Sequence, residues 1–270
     1  MLPNNLEYLS FAIETAKNAG KILLSYYGHL SKEQVHLKGR RDLVTQADLQ
    51  SELYIVEQIK QQFPSHGILS EEKTNKQGTE EFHWLIDPLD GTLNFTHGHP
   101  YFSISIALEY QKNLEVGVVY APVMNELFFA SRGHGTWYEK NAEQKQLHVS
   151  SVTTLEDALL STGFYYNRND TPINNLDNFQ KILMMSQGIR RCGSAALELS
   201  YIASGRYDGF WELWLQPFDV AAGALLVEEA GGKVTDCAGG NNYIYGHSII
   251  ATNGLIHNDI QNNIISFPDK

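Results

Sequence analysis

The chain has 270 residues, 43% of them apolar and 19% charged, ordinary proportions for a soluble globular protein that can bury a sizeable core. Its formal net charge of −11 argues against a nucleic-acid partner, which needs a basic stripe, and no run approaches the roughly eighteen consecutive apolar residues of a membrane span. Two cysteines, Cys192 and Cys237, are too few for a disulfide framework or a thiolate zinc site, and the N-terminus lacks a basic start followed by an apolar run, so a reduced, cytoplasmic setting is the expectation.

Leu6, Leu9, Ile13, Ala16, Ile22, Leu23 and Tyr26 recur near helical spacing and predict a long amphipathic opening helix. A polar, basic stretch from Lys38 to Asp42 follows. A second helix is predicted from about Thr45 to Phe63, with Leu49, Leu53, Val56 and Ile59 on its buried side and Pro64 and Gly67 ending it. Phe82–Ile86 reads as a buried strand. Phe102, Ile104, Ile106 and Leu108 alternate with Ser103, Ser105, Ala107 and Glu109, the period-two pattern of a half-buried strand. Further strands over 114–120, 126–130 and 136–139 complete an antiparallel sheet expected to lie against the two helices. From about Ser150 the pattern changes. Short apolar strands at 158–162, 209–213 and 247–252 alternate with helices starting near Ser194, Asp219 and Gly254, an α/β signature. The polar stretch from Asn141 to Ser151 predicts a boundary, giving an α+β subdomain over 1–145 and an α/β subdomain over 146–270.

An acidic chain repels anions at long range, so one that binds phosphate should import positive charge, and bound cations are the obvious source. The stretch Trp84-Leu-Ile-Asp-Pro-Leu-Asp-Gly-Thr-Leu-Asn-Phe95 offers a place for them. An apolar strand ends in Asp87, then turns through Pro88 and Leu89 to Asp90, Gly91 and Thr92. Pro88 keeps Asp87 extended, Gly91 lets backbone approach a ligand, and Gly91 and Thr92 are candidates to open a helix whose free N–H groups would face an anion. Carboxylates so close repel unless protonated or shared by cations. With no Cys or His cluster beside them, hard divalent ions fit better than zinc, magnesium above all. A plain Asp-Pro-x-Asp-Gly turn is the alternative reading of the same residues. Asp219 likewise begins an amphipathic helix ended by Gly231 and Gly232, where an acid is an ordinary N-cap.

Asp87-Pro-Leu-Asp-Gly-Thr-Leu-Asn-Phe95 resembles the first signature of the inositol monophosphatase family, and Phe218-Asp-Val-Ala-Ala-Gly through Gly232 resembles the second, with Phe218 where the family usually shows Trp. Asp42-Leu-Val-Thr-Gln-Ala-Asp48 and Leu69-Ser-Glu-Glu72 match in order between them and the N-terminus. The resemblance implies a layered αβαβα sandwich of two subdomains, a homodimer, and lithium-sensitive, magnesium-dependent hydrolysis of a small phosphate monoester. It also implies that Glu71, Asp87, the Leu89 carbonyl, Asp90 and Asp219 hold two or three magnesium ions. One ion, with Glu71 and Thr92, would position and deprotonate a water, and a second would bind the bridging phosphate and leaving oxygen. The Gly91 and Thr92 amides would meet phosphate oxygens. Asp48, in the first turn of its helix where negative charge is favoured, is read as structural with a secondary, water-mediated role toward metal. Glu72 is expected to be exposed or supporting, and Lys38 to lie near the metals.

On the substrate side the resemblance implies that Glu212 hydrogen-bonds substrate hydroxyls, that Gly193-Ser194-Ala195 lines the pocket, and that Asp90 and Asp219 border it. Phe164 departs from the small polar residue of animal inositol enzymes and points away from strict inositol specificity. Arg190 and Arg191 face a partner, a phosphate or solvent; Arg40 and Arg41 read as a solvated loop. His97 and His99 match no trusted zinc spacing, and Cys192 reads as a packing residue. The readings carried forward are a polyol-phosphate phosphatase, a phosphatase for histidinol phosphate, fructose bisphosphate, NADP or 3′-phosphoadenosine nucleotides, and a non-catalytic, transcription-associated protein on the same fold.

Overall fold

The structure, a computed structural model of the chain, describes residues 5–39, 42–72, 74–79 and 81–265, with the side chain of Lys32 left aside. Arg40 and Arg41 lie outside the described residues. Helix α1 (Asn5–Tyr26) buries Ala12, Ala16, Ala19 and Leu23, a narrower stripe than expected, and Leu6 is 61% exposed. A two-stranded ribbon, β1 (Val35–Gly39) and β2 (Asp42–Thr45), leads into α2 (Gln46–Gln62). The Thr45 hydroxyl accepts from the Ala47 and Asp48 amides while the Asp48 carboxylate accepts from the Thr45 amide, a reciprocal capping box. Val56 and Ile59 of α2 are buried as expected, but Ala47, Ser51 and Ile55 join them on the inner face while Leu49 is half-buried and Leu53 is 50% exposed. Small residues take the inner positions because the helix approaches closely enough for Ser51 to donate to the Pro88 carbonyl at 2.9 Å.

Next come β3 (Gly67–Ser70), β4 (Asn75–Lys76), β5 (Phe82–Asp90), the single turn α3 (Thr92–Thr96), β6 (Ser103–Tyr110), β7 (Asn113–Ala121), β8 (Glu126–Ser131), β9 (Thr136–Lys140) and β10 (Glu143–Leu147). The strands form one eight-stranded sheet in the order β10-β9-β8-β7-β6-β5-β3-β4, with β3 parallel to β5 and the other pairings antiparallel. β10 occupies part of the stretch read as a boundary; its exposed polar residues gave no apolar alternation to find. β6 corrects a second expectation, since it is buried on both faces rather than half-buried. Its large residues Ile104, Ile106 and Leu108 pack toward α1 and α2. Its small residues face a second helical layer, where Ser105 donates to the Phe218 carbonyl at 3.2 Å. Period-two alternation here sorts large from small, not core from solvent.

That second layer comes from the rest of the chain: β11 (Leu159–Thr162), α4 (Leu176–Leu183), β12 (Gly188–Arg190), α5 (Ala195–Ala203), β13 (Gly209–Leu213), α6 (Pro217–Glu229), β14 (Lys233–Thr235), β15 (Ser248–Thr252) and α7 (His257–Gln261). A five-stranded sheet runs β12-β11-β13-β15-β14. α5 and α6 lie between the two sheets, sharing one core with Leu85, Ala107, Val119 and Phe128 on one side and Phe210, Ile249 and Ala251 on the other. Ile182 of α4 and Ile260 of α7 cover the outer face of the smaller sheet over Leu160, Trp211 and Ile250. The result is the expected αβαβα sandwich. Three expectations about helices change. α6 begins at Pro217, with Gln216 as N-cap and Asp219 at the third helical position. It is buried on every side rather than amphipathic, because a sheet lies on each flank. α7 begins at His257, not near Gly254. Among the described residues no helix is long and apolar enough to cross a membrane.

Candidate active site

Because β3 and β5 are parallel, with Ser70 opposite Ile86, Glu71 and Asp87 leave neighbouring strands at the same carboxyl end, the edge where open α/β sheets bind ligands. The Glu71 amide donates to the Ile86 carbonyl at 3.1 Å and fixes that proximity. Pro88 has no N–H to extend the ladder, and pairing with β6 slips between Asp87 and Asp90. The freed Leu89 amide turns to the Asp87 carboxylate at 3.0 Å. The N-terminal turn of α6 brings Asp219 to the same place. Glu71, Asp87, Asp90 and Asp219, with Leu89, Gly91 and Thr92, thus line one cavity of about 350 Å³.

Burial, followed by repulsion from Glu71, Asp90 and Asp219, holds the Asp87 carboxyl well above the ordinary carboxylate range. Burial does the same to Asp219, opposed by the Gln216 amide and reinforced by Glu71 and Asp90. Asp90 is pushed up to about 6 by burial, although Ser194 and the Ala196 amide favour its charged form. Asp48 is likewise pushed up to about 6 by burial, against hydrogen bonds from Thr45 and Thr92. A cavity that raises several acids at once favours any cation able to enter it.

The hydrogen bonds assign supporting roles. The Thr92 hydroxyl lies 2.9 Å from the Asp48 carboxylate and 3.1 Å from the Leu89 carbonyl, so its one proton is committed to those acceptors. Asp90 receives the Ser194 hydroxyl at 2.6 Å and the Ala196 amide at 2.8 Å. Ser194 therefore holds Asp90 rather than lining the cavity, whereas its neighbours Gly193 and Ala195 do line it. Lys38 meets Glu71 at 2.8 Å and Glu72 at 2.7 Å. The Glu72 side chain is only 2% exposed, so it is the supporting member of the pair; burial and Glu71 push it up to about 7. Gly91 adopts a left-handed φ of 97°, and a Cβ there would stand 3.1 Å from the Tyr101 carbonyl and 3.2 Å from the Gly193 carbonyl. The glycine thus lets the turn pack closely against the protein's own backbone while Gly91 also lines the cavity.

Opposite the acids, Glu212 lines the cavity and burial pushes it up to about 8, opposed by Arg191. Phe164, Tyr165, Tyr166 and Trp214 form an aromatic wall, with Tyr165 stacked on Trp214 at a centroid distance of 5.5 Å. Arg191 lines the cavity and Arg190 does not. His97 and His99 are exposed, and Cys192 packs against the Tyr207 hydroxyl at 3.5 Å.

Sequence reasoning missed the devices that hold the 191–195 loop in place. Asn94 donates to the carbonyls of Tyr101 and Cys192, both at 2.7 Å, and the fully buried Glu198 accepts from the Cys192 amide at 2.7 Å. The presence of Asn94 inside the first signature was a signal that could have been used. Glu198, inside an apolar helix, is conspicuous only as a charge among core positions.

The donor set of Glu71, Asp87, Asp90, Asp219 and the Leu89 carbonyl consists only of oxygens, the chemistry of a hard divalent ion such as magnesium. Buried acids displaced upward in concert also fit a cation that relieves their repulsion. As the side chains lie, no three His, Cys, Asp or Glu residues among those described form a ready-made cage, and Glu71 is held by Lys38.

Fold and cavity together define a layered α/β sandwich with a buried acidic site at the junction of its two sheets. Residues 4–266 match the model of the Inositol monophosphatase family, and the chain belongs to that family. It is 42% identical to a Pseudomonas aeruginosa protein named Nus factor SuhB over 91% of each chain. It is 39% identical to a Mesorhizobium japonicum inositol-1-monophosphatase over 92% of each. The crystal structure of extragenic suppressor protein suhB from Bartonella henselae superposes with a TM-score of 0.88 at 39% identity, covering 95% of this chain and 98% of that one.

Proposed function

We propose that the protein hydrolyses a small phosphate monoester with magnesium, inositol monophosphate or a similar polyol phosphate being the first substrate to test. The observation that carries this reading is the convergence of Glu71, Asp87, Asp90 and Asp219 on one cavity in which buried carboxyls sit above their ordinary range. Glu71, Asp87, Asp90, Asp219 and the Leu89 carbonyl would hold magnesium, which when bound neutralises phosphate charge and activates water. With its proton committed to Asp48 and Leu89, Thr92 Oγ1 presents lone pairs that accept a hydrogen bond from a water in the cavity. Glu71, which lines the cavity, would take that water's proton, while Asp48, buried behind Thr92 and pushed up to about 6, would hold the Thr92 hydroxyl in place. Glu212, on the same cavity, would bind hydroxyls of the leaving alcohol, and Gly91 and Thr92, which also line it, would meet the phosphate. The homodimer implied by the sequence resemblance belongs to this reading and is testable by analytical ultracentrifugation.

Purified protein should release phosphate from inositol 1-phosphate or glycerol 2-phosphate with magnesium, lose activity with EDTA, be inhibited by lithium, and lose turnover in Asp90→Asn. No release from any polyol, sugar, histidinol or nucleotide phosphate would overturn the reading. The relative named Nus factor SuhB motivates a second reading, a transcription-associated role on the same fold. An unmutated protein inactive on every ester, with a transcription-complex pull-down unaffected by Asp90→Asn, would favour it.

A further inference from the structure

Beside the aromatic wall lies a second cleft of about 570 Å³. Phe164, Tyr166 and Arg191 line both spaces, which are therefore adjacent. Leu43, Leu93 and Leu176 supply an apolar lining to the outer cleft, and Arg168 joins Arg191 in it. Leu93 is 39% exposed and Leu176 50%, unusual for aliphatic side chains beside a polar site. Among the described residues neither Arg168 nor Arg191 makes a salt bridge or a side-chain hydrogen bond. In a chain of net charge −11, two such guanidinium groups beside an acidic cavity are suited to an anion, which arginine grips as a planar fork.

We propose that this cleft receives the far end of the substrate. The leaving alcohol is larger than a bare polyol: it carries a ring-sized apolar body that lies against Phe164, Tyr166 and Leu176, and a second anionic group that Arg168 and Arg191 meet. This rests on the phosphatase reading above. The reaction is unchanged by the extension. Water oxygen bonds to phosphorus, the bond from phosphorus to the alcohol oxygen breaks, that oxygen takes up a proton, and the second anion leaves intact with the alcohol. The acidic cavity alone would repel a doubly anionic ester, and the two arginines offset that repulsion at the only end of the ligand that no metal would reach.

The test uses three esters with alkyl leaving groups: glycerol 2-phosphate, benzyl phosphate and 4-carboxybenzyl phosphate. With magnesium, KM should fall from the first to the second and again to the third, by about tenfold across the series. Arg168→Gln should raise KM for 4-carboxybenzyl phosphate relative to benzyl phosphate. Leu176→Ser should raise both benzyl esters relative to glycerol 2-phosphate. Equal KM values for all three esters, or variants that shift all three alike, would overturn the proposal; a second copy of the chain seated over Leu93 and Leu176 would give that result. Folded protein that cleaves none of the esters would instead overturn the phosphatase reading, and the proposal would fall with it.

Discussion

Ser194 donates its hydroxyl to the Asp90 carboxylate at 2.6 Å across 104 positions of sequence, tying the start of α5 to the end of β5. The same oxygen accepts from the Leu197 amide at 3.4 Å as the α5 N-cap. Ser194→Ala removes both contacts. Stability should fall by about 1–2 kcal/mol, read by urea denaturation, and the magnesium concentration for half-maximal activity should rise several-fold. A stability loss with unaltered magnesium dependence would reduce Ser194 to a helix cap.

Asp90→Asn keeps an oxygen for Ser194 to donate to but removes a charge. Turnover should fall on the order of 10²-fold or more, as when one electrostatic contact at a reacting centre is lost. The metal-free protein should melt no lower than the unmutated one, because a buried carboxyl repelled by Glu71 has gone. Steady-state kinetics and calorimetry in EDTA check the two halves separately.

The acids set a pH dependence with a definite sign. Asp48 and Asp90 move from an ordinary 3.8 to about 6 in the folded protein, so the native state binds more protons than the unfolded chain between those values. Metal-free stability should therefore be highest near pH 4 and decline as pH rises through about 6. Asp87 and Asp219, whose carboxyls burial also holds well above the ordinary range, add to the same decline. Magnesium that binds only the folded state should reverse it. Melting curves at several pH values, with EDTA and with magnesium, should diverge upward in pH; parallel curves would contradict the cluster.

At Gly163 a Cβ would collide with the Glu212 carboxylate. Gly163→Ala must displace that acid, and should raise KM for a polyol phosphate about tenfold with a smaller change in kcat, the pattern of lost ground-state binding. An unchanged KM would remove Glu212 from substrate binding.

Glu198→Gln retains an oxygen for the Cys192 amide, whereas Glu198→Ala does not. The glutamine variant should stay close to unmutated activity, while the alanine variant loses kcat/KM and about 1–3 kcal/mol of stability through an unpartnered amide. Equal loss in both would assign the role to charge instead of hydrogen bonding.

Much of this arrangement could be read from the chain before any coordinates. Asp87 and Asp90 around Pro88 form a local motif, and the proline's missing donor explains their exit from the ladder with β6. Asp219 was legible as an acid at a helix start, though its place two residues beyond Pro217 was not. The depth of the second layer stayed hidden: Ser103 and Ser105 look like solvent-facing positions until the start of α5 is seen above the first and α6 above the second. Leu53 illustrates the reverse error, since hydrophobicity marked it for a core face that close packing gave to Ala47 and Ser51. Long-range contacts such as Ser194 with Asp90 and Lys38 with Glu72 join polar residues whose local sequence carries no sign of their partners.

The enclosed position of α6 makes the site lopsided in its capacity to adapt. Asp219 is carried on a helix pressed between two sheets and buried from Val220 to Val227, so its backbone can shift little without disturbing both cores. Lys38 sits on the ribbon of β1 and β2, whose strands pair only with each other and whose outer residues face solvent. Accommodation of ions of different radius, or of ligand entering and product leaving, must therefore be borne by the ribbon side. Substitutions that stiffen that ribbon should tune how fast the site exchanges its contents, whereas substitutions along α6 should decide whether the protein folds.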